Sequence, residues 1–198
     1  MENVCCTKDR IIDIAIEMFA KKGYENVSMN EIAKEVGISK PAIYYYFESK
    51  EKLFIEMMNV VTEKFLNSIE EVFEKDVPPE QKLLNMIETM FEKTKEKPKI
   101  FRIIHGLNIE DTKAEFVLKF KDRFRFIREN LRKIIIEGKN SGKFRQDIDP
   151  EVFIPCFNGS ISLHVIRYIK GDDIDLSRER ARKVWDLFLK GLLTKQEE

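Results

Sequence analysis

The sequence predicts an all-α fold, in which three short N-terminal helices precede a larger helical bundle. The chain of 198 residues contains only eight glycines and six prolines, and the segments between them repeat apolar residues at helical spacing, without the alternation typical of strands. The composition changes near residue 50, because four of the five tyrosines precede it and thirteen of the fifteen phenylalanines follow it. We therefore expect an N-terminal domain over residues 5–52 and a C-terminal domain over residues 53–198.

The first two helices are predicted from the residues at their ends. Residues 7–22 carry one apolar stripe, and Gly23 suits the left-handed position that ends a helix. Residues 29–36 follow Ser28, a good N-cap residue, and Glu31 three positions later completes a capping box.

The remaining helices are predicted in the same way. Ser39 is the expected N-cap of a third helix that ends at Tyr46 or Phe47, with Pro41 in the first turn, where a missing N–H costs least. A long fourth helix is expected over residues 50–75, before two consecutive prolines. Further helices are predicted over residues 79–97, 98–109, 112–137, 150–170 and 177–193, with loops over residues 138–142 and 171–175.

Residues 28–47 have the pattern of a helix-turn-helix motif. Ala33 is small where two helix backbones must approach closely, and Gly37 suits the tight turn. Successive residues on a helix point in different directions, so the three consecutive tyrosines cannot all be buried. The second helix of the motif is expected to direct four side chains outward, into a major groove of DNA: Lys40, Ala42, Tyr44 and Tyr45.

Residues 7–54 resemble the DNA-binding domain of TetR-type (tetracycline-repressor family) transcriptional regulators. The resemblance rests on four features of this sequence: Phe19…Gly23-Tyr24, Ser28…Ile32-Ala33…Gly37-Ile38-Ser39, Ile43-Tyr44-Tyr45-Tyr46-Phe47 and Ser49-Lys50-Glu51. It implies an N-terminal helix-turn-helix DNA-binding domain and a C-terminal helical-bundle domain for ligand binding and dimerisation. It also implies a homodimer that binds a palindromic operator in double-stranded DNA and responds to a small ligand.

Residue roles in DNA binding follow from side-chain chemistry together with this resemblance. Lys40 is the candidate for a guanine edge, and the Ala42 methyl for a thymine methyl. Ser28 and Ser39 lie at helix N-termini, where they suit phosphate oxygens, although each is also an ordinary helix cap. The predicted DNA-binding residues are Ser28, Ser39, Lys40, Pro41, Ala42, Tyr44, Tyr45, Tyr46 and Lys50.

Charge alone does not indicate this function. The chain has no net charge, and residues 1–52 contain eight basic and nine acidic residues. The basic excess lies over residues 95–145, with fifteen basic and seven acidic residues. We interpret that excess as a solvated helix face, with contact to an anionic ligand group as the alternative.

The C-terminal domain contains a candidate dimer interface. Residues 150–170 are apolar on more than one face, which is typical of a helix buried on both sides, although a core helix of a monomer would look similar. The resemblance assigns this helix and the last one to a four-helix dimer interface. The predicted interface residues are Ile161, His164, Tyr168, Val184, Trp185 and Phe188.

Methionines and aromatic residues of the middle helices form a candidate pocket for a small apolar or amphipathic effector. Methionine fills irregular spaces and tolerates varied partners. The predicted pocket residues are Met58, Met86, Met90, Phe91, Phe101, His105, Phe120, Phe124 and Phe157. Each of them could instead be ordinary core, and His105 could be a core histidine with a satisfied partner.

The sequence does not indicate catalysis. Its two histidines lack metal-ligand spacing, and no nucleophile elbow, phosphate-binding glycine loop or dinucleotide fingerprint occurs. We therefore predict no enzyme activity, no catalytic residue, no metal and no cofactor. Three cysteines without a disulfide pattern, and no run of about 18 uncharged apolar residues, favour a cytoplasmic protein without a membrane partner.

Together these features predict a ligand-responsive regulator of transcription that acts as a repressor. Two alternatives belong to other classes of protein. One is a helical carrier or sensor of lipids or other small molecules that does not bind DNA. The other is an architectural DNA binder without effector control.

Overall fold

The computed structural model describes residues 2–106 and 114–192, and the side chains of residues 7–63, 65–105 and 125–192. Within these ranges the chain forms nine α-helices and no strand element, so the predicted fold class is confirmed. The helices are α1 (Glu2–Lys22), α2 (Met29–Val36), α3 (Lys40–Tyr46), α4 (Lys50–Glu74), α5 (Pro79–Glu96), α6 (Pro98–Gly106), α7 (Ala114–Asn140), α8 (Pro150–Lys170) and α9 (Arg178–Leu192).

Most described helix ends agree with the predicted ones to within one residue, and two differ by more. The backbone of α1 is helical from Glu2 and not only from residue 7, because no glycine or proline interrupts residues 2–6. α7 continues to Asn140, three residues into a predicted loop. The predicted ends at residues 109 and 112 lie outside the described residues.

Gly138 explains the longer α7. The helix continues through Gly138 without a break. The ring of Phe144 packs against the backbone of this glycine. The Phe144 N–H donates to the Gly138 carbonyl at 2.9 Å, and the Phe144 side chain is fully buried. The chain reverses instead at Gly142, which has a φ of 74°. Position 138 therefore requires glycine because a Cβ atom would clash with the Phe144 ring, whereas position 142 favours glycine because of its left-handed backbone conformation.

The chain divides into two compact units. The first contains the described residues of 1–64 and 99–116, and the second those of 65–98 and 117–198. α4 is continuous from Lys50 to Glu74, so this division falls within the helix. The domain boundary expected after residue 52 stays a prediction.

The first unit has a core to which α1, α2, α3, α6 and the start of α4 all contribute. α2 supplies mainly small and branched apolar residues, while α1 and the start of α4 add phenylalanines. The buried side chains include Ile11, Ala15, Phe19, Ile32, Ala33, Val36, Ile43, Phe47, Leu53, Phe54, Met57, Met58 and Phe101. This core supports the short helices α2 and α3, which are too short to be stable alone.

The second unit is built around an aromatic cluster between α8 and α9. The ring of Phe157 is fully buried and contacts three other rings. Its centroid lies 5.6 Å from that of Phe153, 5.4 Å from that of Phe188 and 6.4 Å from that of Trp185. Such aromatic contacts add to the free energy of burial, and here they join the two helices.

α8 is the one helix among the described residues that is long and apolar enough, by length and composition, to cross a membrane. Core helices of soluble proteins meet the same criterion. Its inward side chains pack inside the second unit: Ile154, Phe157, Ile161, Val165 and Ile169. Because only 28% of the apolar window is buried, a second apolar face of α8 stays accessible.

Candidate nucleic-acid interface

A tight turn at Gly37 joins α2 to α3. Gly37 has a φ of 79°, and its N–H donates to the carbonyls of Ala33 at 3.0 Å and Lys34 at 3.2 Å. The Ile38 N–H donates to the Ala33 carbonyl at 3.0 Å. These bonds satisfy the last carbonyls of α2, as a left-handed C-terminal residue does in other helices. The turn that the helix-turn-helix pattern requires is therefore present.

α3 is anchored at its N-terminus by a serine cap and along one face by a buried isoleucine. The Ser39 hydroxyl caps the helix by accepting the Ala42 N–H at 3.3 Å, and Ile43 is the only buried side chain of α3. Lys40 and Pro41 are exposed, and Ala42 is half-buried. The first turn of α3 is therefore available to a partner, as predicted for a recognition helix.

The three consecutive tyrosines differ in exposure. Tyr45 is 81% exposed, Tyr44 is 42% exposed, and Tyr46 is half-buried. The rings of Tyr45 and Tyr46 are in edge contact, with centroids 5.4 Å apart. Tyrosine usually buries its ring and leaves only the hydroxyl exposed, so an aromatic side chain as open as Tyr45 is typical of a binding surface.

Ser28 is fully engaged in the capping box that begins α2. Its hydroxyl accepts the Glu31 N–H at 3.2 Å, and its own O–H and N–H both donate to the Glu31 carboxylate at 2.8 Å. The Lys22 ammonium lies 3.1 Å from the other carboxylate oxygen. The backbone and hydroxyl bonds from Ser28, followed by Lys22, lower the pKa of Glu31 to about 2. The predicted capping box is present, and a phosphate at Ser28 would have to share that hydroxyl with Glu31.

Lys50 lies at the start of α4, and its ammonium has internal partners. It donates to the Tyr24 carbonyl at 3.0 Å and lies 4.2 Å from the centroid of the Tyr24 ring. A phosphate role for Lys50, expected from the family resemblance, stays a prediction. Tyr24 is absent from the predicted site, because a contact between residues 26 positions apart leaves no local signal in the sequence.

The predicted pocket residues belong to both compact units. Met58 and Phe101 are buried in the first unit, and Met86, Phe91 and Phe157 are buried in the second. Met90 is half-buried. His105 lies near the end of α6 and is exposed, although partial desolvation of its imidazole lowers its pKa. The side chains of Phe120 and Phe124 lie outside the described ones. A shared pocket for these residues stays a prediction.

The predicted dimer residues are divided between buried and partly exposed positions. Ile161, Val184 and Trp185 are buried inside the second unit by the same chain, which gives them a core role in the single chain. His164, Tyr168 and Phe188 are half-buried, and the His164 Nδ1 lies 2.8 Å from the Ser160 carbonyl oxygen. The apolar side chains left exposed on α8 and α9 are Val152 (61%), Leu163 (58%) and Leu187 (77%). The prediction did not include these three.

No group of three or more potential metal ligands occurs among the described residues. Several charged side chains among the described residues form ion pairs, most of them exposed. Arg132 pairs with Glu151, Arg167 with Asp172, and Arg145 with Asp147.

Two family models match the chain. The model of bacterial regulatory proteins of the tetR family matches residues 11–57, which include α2 and α3. The model of the C-terminal region of YsiA-like proteins matches residues 54–191, which is more than half of the chain. The chain belongs to the TetR family.

Relatives by sequence agree with membership of the TetR family. YuxN, an uncharacterised HTH-type transcriptional regulator of Bacillus subtilis, is 49% identical over 59 residues, which is 30% of this chain and 20% of YuxN. The chain thus matches only a fifth of that relative. The fatty acid metabolism regulator protein of B. subtilis is 24% identical over 163 residues, which is 82% of this chain and 84% of that protein.

Solved structures extend the similarity to nearly the whole chain. FadR, the fatty acid degradation regulator of Bacillus halodurans, has a TM-score of 0.77 and 26% identity over 93% of this chain and 95% of its own. FadR of B. subtilis, in complex with stearoyl-CoA, has a TM-score of 0.76 and 24% identity over 92% and 97%. KstR2, the ketosteroid regulator of Mycobacterium tuberculosis, shares the fold with a TM-score of 0.82 and 18% identity over 95% of both chains.

This TetR-family protein is therefore a DNA-binding transcriptional regulator. Its family models and its relatives are those of regulators and not of enzymes. The helix-turn-helix with its exposed α3 provides the structural basis for DNA binding.

Proposed function

We propose that this TetR-family regulator binds a palindromic operator as a homodimer and represses transcription in the cytoplasm. We further propose that a small amphipathic molecule with a long acyl chain, of the fatty acyl-coenzyme A class, releases it. The observation that carries the proposal is the similarity to fatty acid regulators over more than nine-tenths of the chain, one of them in complex with stearoyl-CoA.

The DNA side of the proposal rests on α3. Lys40 is exposed at the start of this helix and would read a guanine edge, while the Ala42 methyl would contact a thymine methyl. Tyr44 and Tyr46 would donate to phosphate oxygens, and Tyr45 would reach either the backbone or a base. Residues 1–52 are close to neutral in charge, so binding would depend on a set of individual contacts and helix N-termini, and not on a polybasic stripe.

The dimer side rests on the exposed apolar face of α8 and α9. Val152, Leu163 and Leu187 are large and more than half exposed, and burying them in a two-fold interface removes apolar area from water. A two-fold protein matches a palindromic operator, whose half-sites repeat the same contacts.

The effector part of the proposal rests on the composition of α4 and α6 within the first unit. These helices supply buried methionines and phenylalanines there, including Met58 and Phe101. Unbranched methionine side chains adapt their shape, so a core rich in them admits an acyl chain at a lower cost in strain than branched residues would impose. Effector binding would tilt α4, and the two recognition helices would leave the spacing of about 34–36 Å between successive major grooves.

The experiment has two stages. Selection of bound sequences from random DNA should yield a palindrome, and Lys40→Ala should weaken its binding by about 1–3 kcal/mol while relaxing base preference at one position of each half-site. Stearoyl-CoA added to the purified complex should then release the DNA at low concentration, whereas coenzyme A alone should not.

The outcomes separate the alternatives. Absence of any selected DNA would contradict the operator and favour a small-molecule carrier. A complex that resists stearoyl-CoA, free stearate and other acyl chains would contradict the effector class and favour an architectural DNA binder. Unchanged base preference in Lys40→Ala would show that Lys40 does not contact a base.

A further inference from the structure

We propose that Lys50 is a positioning residue for DNA binding: it clamps the start of α4 to the turn that follows α1 and thereby sets the placement of the reading helix. The inference concerns the DNA-binding activity and does not depend on the effector. It differs from a phosphate contact, because the ammonium acts on the protein itself and not on DNA.

The first step is the geometry of the ammonium. The Lys50 Nζ donates to the Tyr24 carbonyl at 3.0 Å, approaches the Glu25 carbonyl at 3.5 Å and lies 4.2 Å from the centroid of the Tyr24 ring. These two carbonyls and one aromatic face make three contacts that favour a cation. The side chain is half-buried, so these contacts are less screened by water than those of a surface lysine.

The second step is the position of Lys50 in its helix. It is the first residue of α4, directly after Ser49, whose hydroxyl accepts the Lys52 N–H at 3.1 Å. A cation at a helix N-terminus opposes the helix dipole, so lysine is a poor choice there for α4 alone. The carbonyls that Lys50 contacts lie two and three residues beyond the C-terminus of α1, which is the end of a helix that favours a cation. The lysine therefore stabilises the junction of the two helices at the expense of α4.

The third step is the local charge. The electrostatic effects of Glu51 and Glu25 both act on the Tyr24 hydroxyl. Carboxylates near the clamp attract the ammonium and repel a DNA phosphate, which favours an internal partner for Lys50. Burial is the larger influence on Tyr24 and raises the pKa of its hydroxyl, so the ring stays neutral at physiological pH.

The fourth step connects the clamp to α3. The Tyr24 ring packs against Phe54 of α4, with centroids 4.8 Å apart, and against Phe19 of α1, with centroids 5.5 Å apart. Lys8 of α1 pairs with Glu56 of α4 in addition. α1, the start of α4 and the turn before α2 thus pack together as one group, and α2 and α3 follow that turn in the chain. Loosening the turn would change the angle at which α3 is presented.

The test uses operator binding by the 198-residue chain, measured as a function of salt concentration. Lys50→Met removes the donors and keeps the length of the side chain, and we expect the affinity to fall by roughly tenfold, as for the loss of one charge-assisted hydrogen bond. The salt dependence should match that of Lys52→Met, which removes a nearby charge from the same helix. Lys50→Arg keeps the cation and its donors, and should retain affinity within about threefold.

Tyr24→Leu removes the ring contact and should also weaken binding. In a double-mutant cycle, Lys50→Met should cost less in the Tyr24→Leu background than in the wild type, because leucine removes the ring contact of the ammonium while keeping the backbone carbonyl. Tyr24→Phe keeps both the ring and the carbonyl, and should bind as the wild type does.

A lost phosphate contact makes the plot of log affinity against log salt less steep by about one for each bound copy. The proposal is overturned if Lys50→Met reduces the steepness by this amount beyond the Lys52→Met control. It is also overturned if the effects of Lys50→Met and Tyr24→Leu simply multiply. Urea unfolding of each variant confirms that the compared proteins are folded at the assay temperature.

Discussion

The ring of Phe144 lies so close to Gly138 that a Cβ atom added to this glycine would be 2.1 Å from the ring's Cδ2 atom. Phe144 is fully buried, so its ring cannot swing away into solvent. The contact fixes the chain that leaves α7, because the Phe144 N–H also bonds the Gly138 carbonyl.

Gly138→Ala should therefore destabilise the protein, although alanine is the better helix former. We expect the free energy of unfolding to fall by about 1–3 kcal/mol from overpacking, measured by urea denaturation. Gly191→Ala is the matched control, since an added Cβ at this helical glycine meets no atom within 4 Å. The control should be neutral or slightly stabilising. A Gly138→Ala protein as stable as the Gly191→Ala protein would contradict this packing.

Exposed and buried positions of α3 should separate binding from stability. Tyr45→Ala should weaken operator binding and leave the free energy of unfolding within about 0.5 kcal/mol, because Tyr45 is 81% exposed. Ile43→Ala should lower the free energy of unfolding by about 2–5 kcal/mol, because Ile43 is fully buried. Gel shifts and urea denaturation of the same preparations provide both measurements. Wild-type DNA affinity in Tyr45→Ala would exclude this side chain from the interface.

The capping box of α2 should make stability depend on pH. The pKa of Glu31 is lowered from 4.5 to about 2 in the folded protein, so the ionised carboxylate stabilises the fold above pH 4.5. This contribution is lost progressively as the pH falls from 4.5 through 2. Glu31→Gln cannot ionise, so the difference in urea midpoint between wild type and variant should be largest at pH 7 and smaller at pH 3. A difference that is the same at both pH values would show that the charge of Glu31 plays no part.

The exposed apolar face of α8 and α9 should be needed for dimerisation. Leu163→Glu and Leu187→Glu place a carboxylate on positions that are 58% and 77% exposed in the single chain. We expect each substitution to raise the dimer dissociation constant by roughly 100-fold, because the charge would lose its water in the interface. Sedimentation velocity over a range of concentrations measures this change. Ile136→Glu is the control, since Ile136 is an exposed apolar residue of α7. Wild-type dimerisation in both leucine variants would move the interface elsewhere.

Local signals explain why the N-terminal motif could be predicted from the sequence. Ser28 and Glu31 are three positions apart, and Gly37 is the left-handed residue that ends α2, so the residues that define these ends are neighbours in the chain. The same holds for Ser39 at the start of α3.

Long-range packing could not be predicted in the same way. Both faces of α8 are apolar, and the sequence does not indicate which face the chain itself covers: Ile161 is 2% exposed and Leu163 is 58% exposed. The contact between Lys50 and Tyr24, and the space beneath the Phe144 ring, likewise join residues whose proximity depends on the tertiary fold.

The sparse anchoring of α3 has a consequence for how such regulators diversify. Because one buried isoleucine and one serine cap hold this helix, most of its other positions can be exchanged without cost to the scaffold. Gene duplicates that inherit the same supporting helices could thus acquire new target sequences through a few substitutions. Because so few of its residues are needed for folding, α3 is also a suitable segment to redesign when regulators must not bind one another's target sequences.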